Sequence, residues 1–174
     1  MGLDHAVLRF FQDNVQDGAL TAFFRFVSFL ADGGWLWIAV SVALLCFRST
    51  RKAGVASAVA LLCSLLFTNI LLKNVIARPR PYVAYGDLRV YAKELSSFSF
   101  PSGHASASFA ASAAIFWFHK LPGVGALALA AVIAFSRVYL SVHYLTDVLG
   151  GAALGVLYAA AGAFAARRFY KRAA

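Results

Sequence analysis

The chain has 174 residues, of which 61% are hydrophobic and 13% charged, with a formal net charge of +9. A soluble domain carries roughly a quarter charged residues, so disorder, a coiled coil and a secreted disulfide scaffold are excluded, and an integral membrane protein is expected. The positive charge would suggest nucleic acid in a soluble protein. Here almost no polar surface exists to build such a site, so no nucleic-acid partner is expected. Cys46 and Cys63 lie in apolar runs and read as packing residues rather than a disulfide or metal pair.

No secretory signal pattern opens the chain. Leu3, Val7, Phe10, Phe11 and Val15 recur at helical spacing against Asp4, Arg9, Gln12, Asp13 and Gln16. Residues 1–17 therefore read as an amphipathic helix in the membrane interface. Gly18–Ala31 and Gly34–Phe47 are apolar but short, and Asp32-Gly33-Gly34 separates them. Two spans joined by a tight turn are expected, with one long kinked helix as the alternative.

Ala53–Leu72 carries no charge and is long enough for a bilayer crossing of about 20 residues. A polar stretch from Arg78 to Ser102 follows, then apolar runs over Ala105–Phe118, from the His119–Gly123 turn to Ser136, and over Val148–Ala166. The reading is an all-α, six-helix transmembrane bundle with an N-terminal interfacial helix: a single domain over residues 1–174, with spans in 18–172. Both termini then fall on one side, with Arg9, Arg48, Arg51, Lys52, Lys120 and the basic C-terminal residues, and the positive-inside rule makes that side cytoplasmic. His5 and His119 are placed there too and take no role. Small residues repeat every fourth position at Gly103, Ala107 and Ala111, and at Gly151, Gly155, Ala159 and Ala163, which suits close helix approach.

The parity of crossings brings the remaining polar residues to the opposite face. Lys73, Arg78, Arg80, Arg89, Lys93 and Arg137 gather there, where basic residues are less expected. Arginine forks and a mobile lysine suit phosphate oxygens. Pro101-Ser102-Gly103-His104 opens a helix, whose free N–H groups favour an anion. His143 and Asp147 are four apart, on one helix face, so the carboxylate can orient the imidazole. A second histidine, His104, can serve as the acid, which suffices for phosphoryl transfer through a phosphohistidine. The acids of this face, Asp32, Asp87, Glu94 and Asp147, form no di-metal pattern, so no metal and no cofactor are expected.

These residues resemble the signature of the type 2 phosphatidic acid phosphatase superfamily. Its three parts are Lys73 with Arg80-Pro81, then Pro101-Ser102-Gly103-His104, then Ser136-Arg137 with His143 and Asp147. The resemblance implies that His143 is the nucleophile, Asp147 its orienting partner and His104 the acid. It implies that Lys73, Arg80, Ser102, Gly103 and Arg137 hold the phosphate. The small size resembles bacterial enzymes of the cytoplasmic (inner) membrane that act on undecaprenyl diphosphate, phosphatidylglycerophosphate or lipid A. The expected function is metal-independent hydrolysis of a lipid phosphate or diphosphate at the extracytoplasmic face, first of all undecaprenyl diphosphate. Its partners would be that substrate and the surrounding membrane lipids. A lipid-phosphate binder or transporter is the competing class, but binding alone does not need the His143–Asp147 pair. Arg78, Arg89 and Lys93 are candidates for a second phosphate, and Phe98, Phe100 and Tyr144 for the mouth of a groove taking the lipid chain.

Overall fold

Local signals explain where the helices begin and end. A computed structural model describes residues 2–93 and 95–172. Glu94 therefore lies outside the described residues. Helix α1 covers Leu3–Asn14. Asp17 caps α2, Gly18–Leu30, by accepting from the Leu20 amide at 2.8 Å. A short 3₁₀ turn over Asp32–Gly34 leads into α3, Trp35–Cys46. Helix α4, Arg51–Cys63, runs on through a π-helical stretch, Ser64–Leu72, into the short α5, Lys73–Ile76. Ala77, left-handed at φ 49°, stops it. Pro81 opens α6, Pro81–Ala84, as proline suits a first helical position. Ser102 caps α7, Gly103–Phe118; α8 is Lys120–Tyr139 and α9 is Leu145–Arg172.

All six apolar runs are helical, and the described residues contain no strand. Residues 51–84, 120–139 and 145–171 are each long and apolar enough to cross a bilayer. The 16 residues of α7 are shorter than a full crossing. The first two apolar runs do not form the expected hairpin. Helices α2 and α3 meet at a bend of 41°, and only together are they long and apolar enough for a crossing, as the kinked alternative has it. Gly33 at φ 59° and Gly34 at φ 77° supply the bend, in a conformation that costs glycine nothing.

This changes where the N-terminus lies. Helix α2 starts beside Tyr139, the last residue of α8, and α3 ends against Gly54 near the start of α4. The bent pair thus traverses the bundle once. Helix α1 sits at the same end as the polar loops, not at the end carrying the C-terminal arginines. His5 bonds Asp87 at 3.2 Å and Asp4 takes both the amide and the hydroxyl of Thr146. Arg9 reaches Asp87 as well. His5 and Arg9 were expected at the far end; a single bent span instead of a hairpin removes one crossing and reverses them.

Close backbone packing joins α4, α7 and α9, and the stripe at Gly151 and Gly155 contributes to it. A Cβ at Gly151 would stand 2.5 Å from the Ser102 carbonyl oxygen, and one at Gly155 equally close to that of Ser106. At Gly162 it would meet the Ala56 carbonyl oxygen at 2.2 Å. Hydroxyls fill the centre: Ser106 bonds both Ser64 at 2.8 Å and Thr68 at 3.0 Å. With no hydrophobic drive between helices in lipid, such close backbone contact and polar bonding hold a bundle together.

Candidate active site

All three signature segments meet at one end of the bundle. Lys73 enters from α5, Arg80 from the loop before α6, Ser102–His104 from the start of α7, Arg137 from the last turn of α8, and His143 from the loop before α9. Lys73, Arg80, Arg137 and His143 are all buried, and Asp147 is fully so.

The histidine–aspartate pair forms as expected. His143 Nδ1 lies 3.3 Å from Asp147 Oδ2, and its Nε2 lies 3.4 Å from an Arg80 nitrogen. Guanidinium has donors only. The proton therefore sits on Nδ1, donated to the carboxylate, and the lone pair of Nε2 faces the cations. Asp147 Oδ2 also accepts from Ser99 Oγ at 2.5 Å and from the Tyr144 amide at 3.0 Å. Its other oxygen accepts from Arg78 at 2.7 Å. Burial, with Arg80, Arg137 and Lys73 around it, holds His143 well below the usual histidine range. That direction favours the neutral ring, with the Nε2 lone pair available.

Arg80 is fixed by backbone and hydroxyl. It donates to the carbonyls of Ser97 and Val142, each at 2.7 Å, and to Ser97 Oγ at 3.1 Å. Lys73 reaches the same hydroxyl at 3.5 Å. Arg137 donates to Ser28 Oγ, while its buried Nε has no partner. A buried guanidinium nitrogen left unpaired costs free energy unless an acceptor arrives, and a phosphate oxygen is such an acceptor. Gly103 has a local reason to be glycine: its Cβ would fall 2.3 Å from the Asn69 side-chain oxygen. The wide turn of the π-helical stretch carries that asparagine.

Two expectations about neighbouring residues change. Arg78 is not free for a second phosphate. It is held by Asp147, by Thr146 Oγ1 at 2.7 Å and by Asp4 at 2.8 Å, with its guanidinium 3.8 Å over the Tyr144 ring. Arg89 lies toward α1, where its amide donates to Gln12. Lys93 lines the cavity beside the site, together with Arg25 of α2. Phe98, Phe100 and Tyr144 do not line it; Phe100 packs on Gly150 instead.

That cavity measures about 1170 Å³ and runs between the bent α2–α3 pair and α4. Lys73, Arg80, His104, Arg137 and His143 line one part of it, while Ile38, Val42, Leu45, Leu61, Leu62 and Leu65 line the rest. A charged pocket thus opens directly into an apolar groove. Among the described residues no three of His, Cys, Asp and Glu gather as a metal site would require.

Sequence reasoning missed Ser28, Ser97 and Ser99, and placed Asp32 on this face without giving it a role. Asp32 Oδ1 lies 2.9 Å from His104 Nε2. Serines and a lone aspartate carry no spacing signal, and only the fold brings them to the site.

Residues 53–171 match the family model described as PAP2 superfamily. An undecaprenyl-diphosphatase of Sulfolobus acidocaldarius is 30% identical over 122 residues, which are 70% of this chain and 59% of that protein. Phosphatidylglycerophosphatase B of Bacillus subtilis is 39% identical over 100 residues, 51% of this chain and 46% of that one. The chain thus spans about three-fifths or less of the length of these relatives. The crystal structure of Aquifex aeolicus LpxE superposes with a TM-score of 0.82 at 24% identity, covering 93% of this chain and 95% of that one, which shows a shared fold.

Proposed function

This chain belongs to the PAP2 superfamily, and from that premise we propose that it hydrolyses lipid phosphates, with a prenyl diphosphate such as undecaprenyl diphosphate as the preferred substrate. One observation carries the proposal. The buried cations and the Nε2 of His143 share a single cavity with an apolar groove, so a phosphate and its lipid chain fit together.

The chemistry follows from the geometry. Lys73, Arg80 and Arg137 hold the non-bridging oxygens, with the Gly103 amide and Ser102 at the α7 N-terminus. His143 Nε2 attacks phosphorus; an N–P bond forms as the P–O bond breaks. The leaving oxygen keeps the bonding electrons and takes a proton from His104. Water then attacks the phosphohistidine and gives its proton to His104, releasing phosphate and restoring His143. Asp147 orients His143 and stabilises the charge it gains. The cations meet the charge on the transferring group, so no divalent ion is needed in this scheme.

For the diphosphate, Lys93 and Arg25 on the cavity wall are the cations placed near the second phosphate. Support for a prenyl substrate comes from the name of the Sulfolobus relative. The name of the Bacillus relative favours phosphatidylglycerophosphate as the second reading. Orientation is read from charge. Arg48, Arg51, Lys52, Lys120, Arg167, Arg168 and Lys171 occupy the far end, whereas every described acidic residue lies toward the site. By the positive-inside rule the far end faces the cytoplasm and the site faces outward, in the cytoplasmic (inner) membrane. Helix α1, with its amphipathic pattern, then lies in the outer interface, in one membrane domain with the helices that follow.

The test is phosphate release from a panel of lipid phosphates in detergent, with a chelator present throughout. Prenyl diphosphates should react faster than phosphatidic acid or phosphatidylglycerophosphate. A preference for phosphatidylglycerophosphate would move the substrate assignment to the second reading. Complete loss of activity with the chelator would overturn the metal-free scheme.

A further inference from the structure

The family match begins at residue 53, yet two side chains from outside it reach the site. Ser28 and Asp32 stand one helical turn apart at the end of α2 and in the bend that follows. Ser28 takes a hydrogen bond from Arg137, and Asp32 Oδ1 sits 2.9 Å from His104 Nε2. The bend makes the second contact possible. Gly33 and Gly34 are both left-handed, so the chain turns sharply just after Asp32 instead of carrying its carboxylate on along a straight helix.

The chemistry of this contact has one sense. An ionised carboxylate only accepts, so Nε2 of His104 is the donor. The carboxylate stabilises the protonated ring, and Arg137 and His143, which share the site, do not. His104 is mostly buried while the Asp32 side chain is 56% exposed, facing the cavity. The carboxylate thus has room to move where the imidazole has little. The leaving oxygen of a phosphate held by Arg137 and Arg80 needs that same Nε2–H.

We propose that Asp32 is the positioning residue of the general acid: it holds the Nε2–H of His104 toward the cavity in the free enzyme and yields that hydrogen bond to the leaving oxygen of the bound substrate. In the first half-reaction the proton passes from Nε2 to that oxygen as the P–O bond breaks. In the second, Nε2 takes a proton from the attacking water, and the Asp32 carboxylate receives the restored N–H. Nothing else is consumed. The bent α2–α3 pair is therefore part of the active site and not only a wall of the groove.

The inference rests on His104 being the acid, and leaving groups separate the two claims. Two short phosphate monoesters serve as probes, one alkyl and one nitrophenyl. The alkoxide must be protonated as it leaves; nitrophenolate need not be. Asp32→Asn should lower kcat/KM, which reports the first half-reaction alone, about 10-fold or more for the alkyl ester and hardly change it for the nitrophenyl ester, since general acids contribute roughly 10²–10⁴-fold. Asp32→Glu, which keeps a carboxylate, should recover much of the loss. Asp32→Ser gives the same reading should the asparagine variant fold poorly. Equal losses on both esters, or no loss, would overturn the role of Asp32 if His104→Ala still discriminates between them. If His104→Ala affects both esters alike, the acid assignment itself falls, and this inference with it.

Discussion

The two sides of the site are built in opposite ways. On one side α4, α7 and α9 press backbone against backbone through glycine and alanine, and Ser106 ties two hydroxyls from α4's π-helical extension. On the other, α2 and α3 are bent by 41°; α3 closes on α4 at Ser57 and Gly54, and toward the site a cavity of about 1170 Å³ opens between the bent pair and α4 with its extension. The rigid side carries the α7 N-terminus with Ser102 and Gly103 and the start of α9 with Asp147. The open side carries Asp32, Arg25 and, with Ile38, Val42 and Leu45, one wall of the apolar groove. Phosphoryl transfer needs fixed geometry, since misplaced groups lose the advantage of proximity. A long flexible lipid chain needs room. For the proposed reaction, the two demands fall mainly on different helices.

The largest expected effect is on the rigid side at its chemical centre. His143→Ala should lower turnover by about 10²-fold or more while the protein stays folded, because the nucleophile is lost and the bundle contacts are not. Near-normal turnover in a folded His143→Ala protein would remove the mechanism.

Substitutions of similar bulk then distinguish the two sides. Gly162→Leu drives side-chain atoms into the Ala56 backbone, which cannot step aside. It should cost about 1–3 kcal/mol, the range for overpacking, and lower the unfolding temperature in detergent. Val42→Trp projects into the groove. Its unfolding temperature should stay near wild type, while KM rises several-fold for long-chain substrates and not for short esters. Equal destabilisation by both would end the distinction.

The smallest effect is in the pH profile. In the proposed mechanism the neutral form of His143 attacks, and burial with three cations holds its pKa below the ordinary value of 6.5. Protonation therefore begins only at lower pH. The acid limb of kcat/KM should fall below 6.5, so activity persists in mildly acidic buffer. A limb above 6.5 would mean that Asp147 outweighs the cations around the ring.

How much of this was legible in the sequence follows from what each feature depends on. The signature residues were legible because their chemistry needs fixed types at fixed spacing, and all converge: Lys73, Arg80, Ser102, Gly103, His104, Arg137, His143 and Asp147. The small-residue stripes at Gly151 and Gly155 also read correctly, since close helix contact requires them. The bend at Asp32-Gly33-Gly34 did not. The same three residues make a hairpin or a 41° kink, and only packing of α2 on α8 and α3 on α4 decides. That one ambiguity misplaced His5 and Arg9. Ala77 and Ser141, left-handed at φ 49° and 58°, mark the turns beside two signature loops, but neither is the glycine or asparagine that would have announced them. Arg78 looked like a free cation because its partners, Asp4 and Asp147, are far away in sequence and adjacent only in the fold.

The central claim is that the phosphoryl group passes through His143. The most direct measurement is a single turnover with substrate carrying a radioactive phosphate, quenched in base, where a phosphohistidine survives and acyl phosphates do not. Label should appear on the peptide containing His143, rise and then decay as phosphate is released, and be absent in His143→Ala. Stoichiometric phosphate release with no label on the protein at any time point would contradict it and would mean that water attacks the lipid phosphate directly.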